Sequence, residues 1–376
     1  MVRFRKEAAE EMQESLTNQP AEPEYESPSF SKGGPSFSGA DLSFSEGDLE
    51  LVDALQSSPR ATWAQLARVL GVDATTVARR WERLRSLGLA WITAYEAPHA
   101  ATVAYVEVRC RPRSFDQVSR ALARTPWIFS VDETAGDFDL FLSVAAPDLH
   151  ALGSAVHGTI GALPGVHSTK TRLGITVFGE GSDWRTRAID AAARARLPES
   201  RSTVRDTYTS HMDTRLTAQD HALRGALGVD GRLSYKALGE AAGLSEHTAR
   251  RRLLRMLRAR DLTLRCDIAQ PLAGYRAMVI YRACVPHSHL EQTGIALAQM
   301  EQVRLAVSVS GPHNLIVMAW LHDLNGIGPF ESLLTERFPR LEVRDRTVAL
   351  HSPKRMGWLL DRHGRAVEHV PFPLNL

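Results

Sequence analysis

The 376-residue sequence has no run approaching the ~18 consecutive apolar residues that a bilayer-spanning helix needs, so a helical membrane protein is excluded. Cysteine is scarce. Cys110, Cys266 and Cys284 form an odd, sparse set that supplies no disulfide framework and fits a reducing cytosol. Residues 1–19 mix acids and bases without an apolar stretch, so no secretory leader is expected there. There is no nucleophile elbow, phosphate-binding loop or zinc motif, which removes the commonest sequence signals of catalysis and leaves no cofactor to expect. A large excess of one charge is missing too: the formal net charge is only +2.

What is present is 44% hydrophobic and 23% charged residues, the balance of a soluble globular chain. Its length suits two to four domains rather than one core. The charge, although nearly balanced, is unevenly placed. Residues 250–260 hold six arginines and no acid, and Arg79, Arg80, Arg83 and Arg85 form a second cluster interrupted only by Glu82. Such clusters are the footprint of a polyanion-binding surface, although two solvated helix faces would account equally well for them.

Residues 1–43 are rich in Ser, Gly and Pro and poor in apolar side chains, which predicts a disordered arm with at most a short amphipathic helix over 5–16. Beyond it the chain repeats. Laying 44–84 on 216–256 without gaps gives eleven identities in forty-one positions, where chance gives roughly three. The pairs include Asp48/Asp220, Arg60/Arg232, Gly71/Gly243, Thr76/Thr248, Arg79/Arg251, Arg80/Arg252 and Arg83/Arg255, with Trp63/Tyr235 a conservative match. At a slightly different offset, Gly136-Asp-Phe-Asp-Leu140 aligns with Gly311-Pro-His-Asn-Leu315.

Each copy opens with helical periodicity. Ser45, Thr62 and Asp73 are N-cap residues of three successive helices, and Gly71-Val72-Asp73 is the turn between the second and third. In the third, Val77, Trp81 and Leu84 line the inward face. Ser234, Gly243-Leu244 and Ser245 repeat the pattern, with Ala249, Leu253 and Met256 inward. A short helix, a glycine turn and a longer basic helix make a helix-turn-helix. The period then becomes two. Strands are predicted over 103–108, 128–134, 138–144 and 166–177, with helices on Phe115-Val118-Leu122 and on Leu149-Leu152-Val156-Ile160. The second copy reads 278–285, 290–300, 303–310, 314–321, 327–338 and 341–350. The order β-α-β-β-α-β is the ferredoxin-like split unit. Both helices on one side leave an apolar sheet face that asks for a partner, which the two copies can supply to each other.

Together these features resemble the leucine-responsive regulatory protein/AsnC (Lrp/AsnC) family of bacterial transcription factors, through the three-helix domain, the βαββαβ domain and the turn Gly136-Asp137-Phe138-Asp139. The second turn, Gly311-Pro312-His313-Asn314, has lost both acids. The likeness covers roughly 44–178 and 216–350. Family members typically carry one such unit and dimerise, so a fused pair implies an intrachain pseudo-dimer. The implied fold class is α+β: two copies of a winged or three-helix helix-turn-helix domain, each followed by a ferredoxin-like (ACT-like) effector domain. The expected division is a 1–43 arm, helix-turn-helix domains at 44–95 and 216–268, effector domains at 101–178 and 276–350, a 179–215 connector and a 351–376 tail. Within the connector, 184–196 is helix-prone.

The resemblance implies double-stranded DNA and a small-molecule effector, an amino acid or related compound, as partners, further association of chains, and a cytoplasmic, nucleoid-associated place of work. Residues at the start of the third helix meet base edges while nearby cations clamp phosphate. That assigns Thr75, Thr76, Arg79, Arg80 and Arg83 to one reading head. The other receives Glu246, His247, Thr248, Arg250, Arg251, Arg252 and Arg255. Because the heads differ at 75/247 and 78/250, two unlike half-sites are expected. In the effector domains Gly136, Asp137, Asp139, Gly311, His313 and Asn314 are the candidate effector contacts, although aspartates are also common in tight turns for backbone reasons. Cys284-Val-Pro-His287-Ser-His289 has metal-like spacing, but no further ligand cluster accompanies it and no metal is expected. Two rival readings remain. One is an enzyme like the sirohaem decarboxylases, with His157, His167, His289 and His313 available; the other is a sensor acting through a protein partner.

Overall fold

The computed structural model describes residues 42–96, 101–198 and 216–371. The arm up to residue 41, with the helix expected over 5–16, and connector residues 199–215 lie outside the described residues.

In the first half, Ser45 and Asp48 form a reciprocal capping box on α1 (Glu46–Ser57), and Thr62 and Gln65 do the same for α2 (Trp63–Leu70). Gly71 closes α2 with φ 66°, a left-handed conformation costly for any residue with a Cβ. Asp73 then caps α3 (Ala74–Ser86). Val77, Trp81 and Leu84 of α3 are buried against Leu51, Leu55 and Leu66, as their 3.6 spacing requires. Strand β1 (Ala90–Glu96) leads to β2 (Thr102–Cys110), α4 (Phe115–Arg124), β3 (Ile128–Ala135), β4 (Leu140–Ala146), α5 (Leu149–Ala155, continued by a π-helical turn Val156–Gly161) and β5 (Val166–Gly179).

The helix-prone stretch 184–196 is mostly not helical: only α6 (Ala191–Ala195) forms. Tertiary contacts override the local preference there. Trp184 is drawn into an aromatic cluster, 5.1 Å from Tyr275 and 4.9 Å from Trp320, and the Ile189 N–H donates to the buried Asp53 carboxylate at 2.8 Å. The second half has the same order of elements. Thr217 and Asp220 box α7 (Ala218–Val229), Ser234 caps α8 (Tyr235–Ala242), and Ser245 caps α9 (Glu246–Ala259). Strand β6 (Leu262–Ile268) is followed by β7 (Ala277–Cys284), α10 (His287–Ala298), β8 (Val303–Val309), β9 (Leu315–Leu321), α11 (Ile327–Arg337) and β10 (Glu342–Arg355). The tail adds β11 (Trp358–Leu360) and β12 (Ala366–His369), two short strands that sequence periodicity did not signal.

Two pairings join the halves. Strands β1 and β6 pair antiparallel over all seven residues, Ala90 opposite Ile268 through Glu96 opposite Leu262. The expectation of a wing is corrected here: among the described residues, the strand after each three-helix unit pairs with its counterpart in the other half rather than folding into a hairpin of its own. The second joint is the sheet. Within the halves the strand orders are β3-β4-β2-β5 and β8-β9-β7-β10. Strand β5 continues onto β8, and β10 onto β3, so eight strands close into a ring. Closure removes both free edges of each sheet. Alternation along each strand then sorts the side chains. Ala104, Val106 and Val108 pack outward under α4 and α5, Val279, Tyr281 and Ala283 outward under α10 and α11, while Val103, Tyr105, Met278 and Trp320 face between the sheets.

At this seam Lys354 is fully buried, its ammonium donating to the Thr125 carbonyl at 2.8 Å, and burial lowers its pKa to about 7. Below pH 7 the folded protein bears the full cost of enclosing the charge. Between pH 7 and 10.5 the unfolded chain alone keeps the proton, so this group makes stability rise with pH across that window. Lys354→Met is therefore expected to stabilise the protein at pH 7 and to flatten that rise. Denaturant unfolding at pH 7, 8 and 9 checks it, and an unchanged slope in the variant would refute it.

Candidate DNA-binding and ligand-binding sites

The arginines of α3 and α9 separate into two kinds. Arg83 pairs with Asp48, and Arg252 and Arg255 pair with Asp220 at 3.1 and 3.0 Å. Both aspartates are almost fully buried and also cap the first helix of their unit. Burial pushes the Asp220 carboxyl up, but the Thr217 hydrogen bonds and the two guanidinium groups outweigh it and hold the pKa at about 2. Arg83, Arg252 and Arg255 thus tie the third helix to the first. Arg80 is half-buried, and its Nη1 lies 3.5 Å from the Gly47 carbonyl. Arg79 and Arg251 differ: both are exposed and neither has a hydrogen bond or ion pair among the described residues. Thr75, His247, Arg250 and Glu246 are exposed beside them, with Thr76 and Thr248 half-buried; Thr75 donates its hydroxyl to the capping Asp73.

A reciprocal clamp fixes the two units against each other. Arg60 donates to the carbonyls of Gly231 and Leu233 at 2.7 and 2.9 Å and lies over the Tyr235 ring. Arg232 donates to those of Pro59 and Ala61 at 2.6 and 2.9 Å and lies 3.8 Å over the Trp63 ring. The identity Arg60/Arg232 and the match Trp63/Tyr235 were the sequence trace of this contact, but one chain's periodicity does not reveal which partner an arginine meets.

The two effector-domain turns also mirror each other. Asp139 accepts the Cys110 N–H at 2.7 Å, and Asn314 accepts the Val285 N–H at 3.0 Å while donating to the Val285 carbonyl at 2.7 Å. Each side chain pins the hairpin to the end of the first strand, so the acid-to-amide change keeps the backbone role. Gly136 lies against Thr347 of β10 and Gly311 against Arg172 of β5, so each turn abuts the last strand of the other half. The Asp137 carbonyl accepts from Arg109 Nε at 2.7 Å, leaving its exposed carboxylate outward. His313 is half-buried 3.9 Å from Cys284 Sγ; burial and then the Arg172 and Arg282 charges lower its pKa. The metal-like spacing does not converge: Cys284 Sγ faces His313 and the Pro312 carbonyl, His289 faces Arg340, and His287 is exposed.

Sequence reading missed a buried charged core. Glu107 of β2 pairs across the sheets with Arg282 at 2.7 Å, and Asp267 of β6 lies beneath Arg265 and Arg304. Strand alternation puts Glu107 and Arg282 on the inward face with Tyr105 and Ile280, but does not say what they meet.

Two helix-turn-helix heads carried on an α/β body define a DNA-binding regulator. The profile of the AsnC-type helix-turn-helix domain matches twice, at 45–85 and 216–257, and that of the Lrp/AsnC ligand binding domain matches 103–178. The leucine-responsive regulatory protein of Escherichia coli K12 is 30% identical over 128 residues, covering 32% of this chain and 78% of that protein. The HTH-type transcriptional regulator FL11 of Pyrococcus horikoshii is 27% identical over 128 residues, covering 33% of this chain and 84% of its own length. This chain belongs to the Lrp/AsnC family of transcriptional regulators. Over a longer span its fold is similar to the crystal structure of the siroheme decarboxylase NirDL in complex with an iron-uroporphyrin III analogue. There the TM-score is 0.55 and the identity 13%, over 83% of this chain and 93% of that one, a likeness of fold alone.

Proposed function

We propose that the chain works as a tandem-duplicated pseudo-dimer that binds a DNA site of two unlike half-sites and responds to a small molecule. The observation that carries this reading is the pair Arg79 and Arg251. They match in the sequence alignment of the two halves, are exposed and have no internal partner among the described residues, on heads held together by the Arg60/Arg232 clamp. Thr75, Thr76 and Arg80 on one head, and His247, Thr248 and Arg250 on the other, complete the base- and phosphate-facing set, while Arg83, Arg252 and Arg255 position the helices. Such a protein acts in the cytoplasm, at the nucleoid. The test is binding to the protein's own upstream DNA at two salt concentrations. Steep salt dependence with preference over random DNA supports the reading, and equal affinity for random DNA refutes it.

For the effector, the turns leave Asp137 in the first half and His313 in the second as unlike contacts, since Asp139 and Asn314 hold the backbone. A ligand's ammonium group suits Asp137 and not His313, so one amino-acid effector per chain is expected at the turns. Calorimetry with a panel of amino acids checks this, and two equal sites per chain would count against it. Further association of whole chains is supported by Ile175 and Leu350, 65% and 70% exposed at matching positions of β5 and β10. Paired Ile175→Glu and Leu350→Glu changes are expected to halve or quarter the mass seen by light scattering; a monomeric parent would overturn it.

The enzyme reading has the fold likeness in its favour. The four histidines it draws on are scattered, however: His157 and His167 are exposed, His289 meets Arg340 and His313 meets Cys284, and none lines the cavity between the sheets.

A further inference from the structure

A cavity of about 120 Å³ lies between the two sheets. Its walls are apolar, with Val103, Tyr105, Met278, Leu305 and Met318 drawn from both halves, and the two methionines offer adaptable surface. None of the six turn residues lines it. One end is cationic. Arg265 of β6, Arg304 of β8 and Arg355 of β10 meet there, all buried.

The polar groups at this end are unequally satisfied. The acids are engaged: Glu180 accepts from the Tyr95 hydroxyl at 2.6 Å and the Ser182 N–H at 3.0 Å, Asp132 accepts from the Ser352 hydroxyl at 2.6 Å, and Glu96 pairs with Arg224. Arg355 donates to the Ile268 carbonyl and to Gln270. Arg304 reaches Asp267 with one nitrogen only. Its Nε and Nη1, and the indole N–H of neighbouring Trp320, are buried donors without an acceptor among the described residues. Arg304 is only 6% exposed, lies 4.0 Å over the Trp320 ring, and has its pKa lowered to about 9 by burial and by Arg265. Buried donors left open are costly, and Arg304 and Trp320 both belong to the cavity lining, so a ligand that brings acceptors to this end can satisfy them.

We propose that this cavity binds a small monocarboxylate with an apolar body, its carboxylate received by Arg304 and the Trp320 N–H. This goes beyond the regulator reading and places a ligand site between the sheets, where Tyr95, Glu96 and Arg265 belong to the strands that follow the two DNA-binding units. A planar guanidinium suits a carboxylate better than a diffuse dipole, and the apolar walls exclude a strongly hydrated anion.

The test is titration of the full chain with 1-naphthylacetate, and with its neutral amide, by calorimetry and by quenching of tryptophan fluorescence. No DNA is present, so the result stands apart from the DNA-binding question. The acid is expected to bind at least about tenfold more tightly than the amide, and Arg304→Met to abolish that preference. Ala145→Phe, which puts a bulky side chain into the cavity without changing a charge, is expected to remove binding of both while the circular dichroism spectrum stays native. It also keeps the proposal testable should the arginine variant fail to fold. Absence of binding up to millimolar acid, equal affinity for acid and amide, or undiminished binding to folded Ala145→Phe would each overturn the proposal.

Discussion

Changing Arg79 and Arg251 together to alanine is expected to weaken binding to the protein's upstream DNA by about 100-fold at moderate salt, from ~1–3 kcal/mol per lost contact. The slope of log affinity against log salt should fall by about 2 if both arginines contact phosphate, and by less where one reads a base. Stability should hardly move, because both side chains are exposed and without partners among the described residues. Arg83→Ala and Arg255→Ala provide the contrast. They leave Asp48 or Asp220 with fewer cations and should destabilise the protein as well as weaken binding. A double Arg79/Arg251 variant that binds like the parent would place the DNA contact elsewhere and remove the main support for the proposed heads. Unequal losses in the two single variants are the outcome expected of unlike half-sites.

Replacing Asp267 by asparagine is expected to cost about 3–5 kcal/mol of stability, the range for removing one partner of a buried ion pair. The residue is fully buried, with Arg265 at 2.7 Å and Arg304 also on its carboxylate. Burial pushes its carboxyl up, but Arg265, Arg304 and Arg355 outweigh this and hold the pKa below the usual range. The amide keeps the shape and removes the charge, leaving three enclosed guanidinium groups with Glu180, 3.6 Å from Arg265, and Asp132 beside Arg355 as the remaining acids. Equilibrium denaturant unfolding at pH 7 measures the loss. A change under about 1 kcal/mol would mean that the arginines are neutralised or hydrated by other means. The variant also bears on how the fold is joined, since Asp267 pairs with Trp91 in the β1–β6 ladder that links the DNA-binding units.

Much of each unit was legible because its causes are local. Ser45, Thr62, Asp73, Ser234 and Ser245 cap the helices that sequence periodicity predicted, and Gly71 and Gly243 take the left-handed turns. The inward faces Val77-Trp81-Leu84 and Ala249-Leu253-Met256 follow from 3.6-residue spacing alone, and all six are buried. The β-α-β-β-α-β order was readable from the change of period. The helix expected over 184–196 failed because Trp184 and Ile189 gain more from burial against distant residues than a short helix offers. Arg83, Arg252 and Arg255 read as groove-facing cations on spacing, and structure engages them with buried acids that a helical projection does not show.

By itself, then, the sequence determined two helix-turn-helix units, two α/β units and their order, since caps, glycine turns and hydrophobic periods act within a few residues. Tertiary structure decided how the halves meet. The Arg60/Arg232 clamp, the β1–β6 ladder, the closed ring through β5–β8 and β10–β3, and the cavity with its open donors all join residues far apart in the chain. A strand's own pattern states that one face is buried, but which edge and which charge it meets depends on the energy of the whole arrangement.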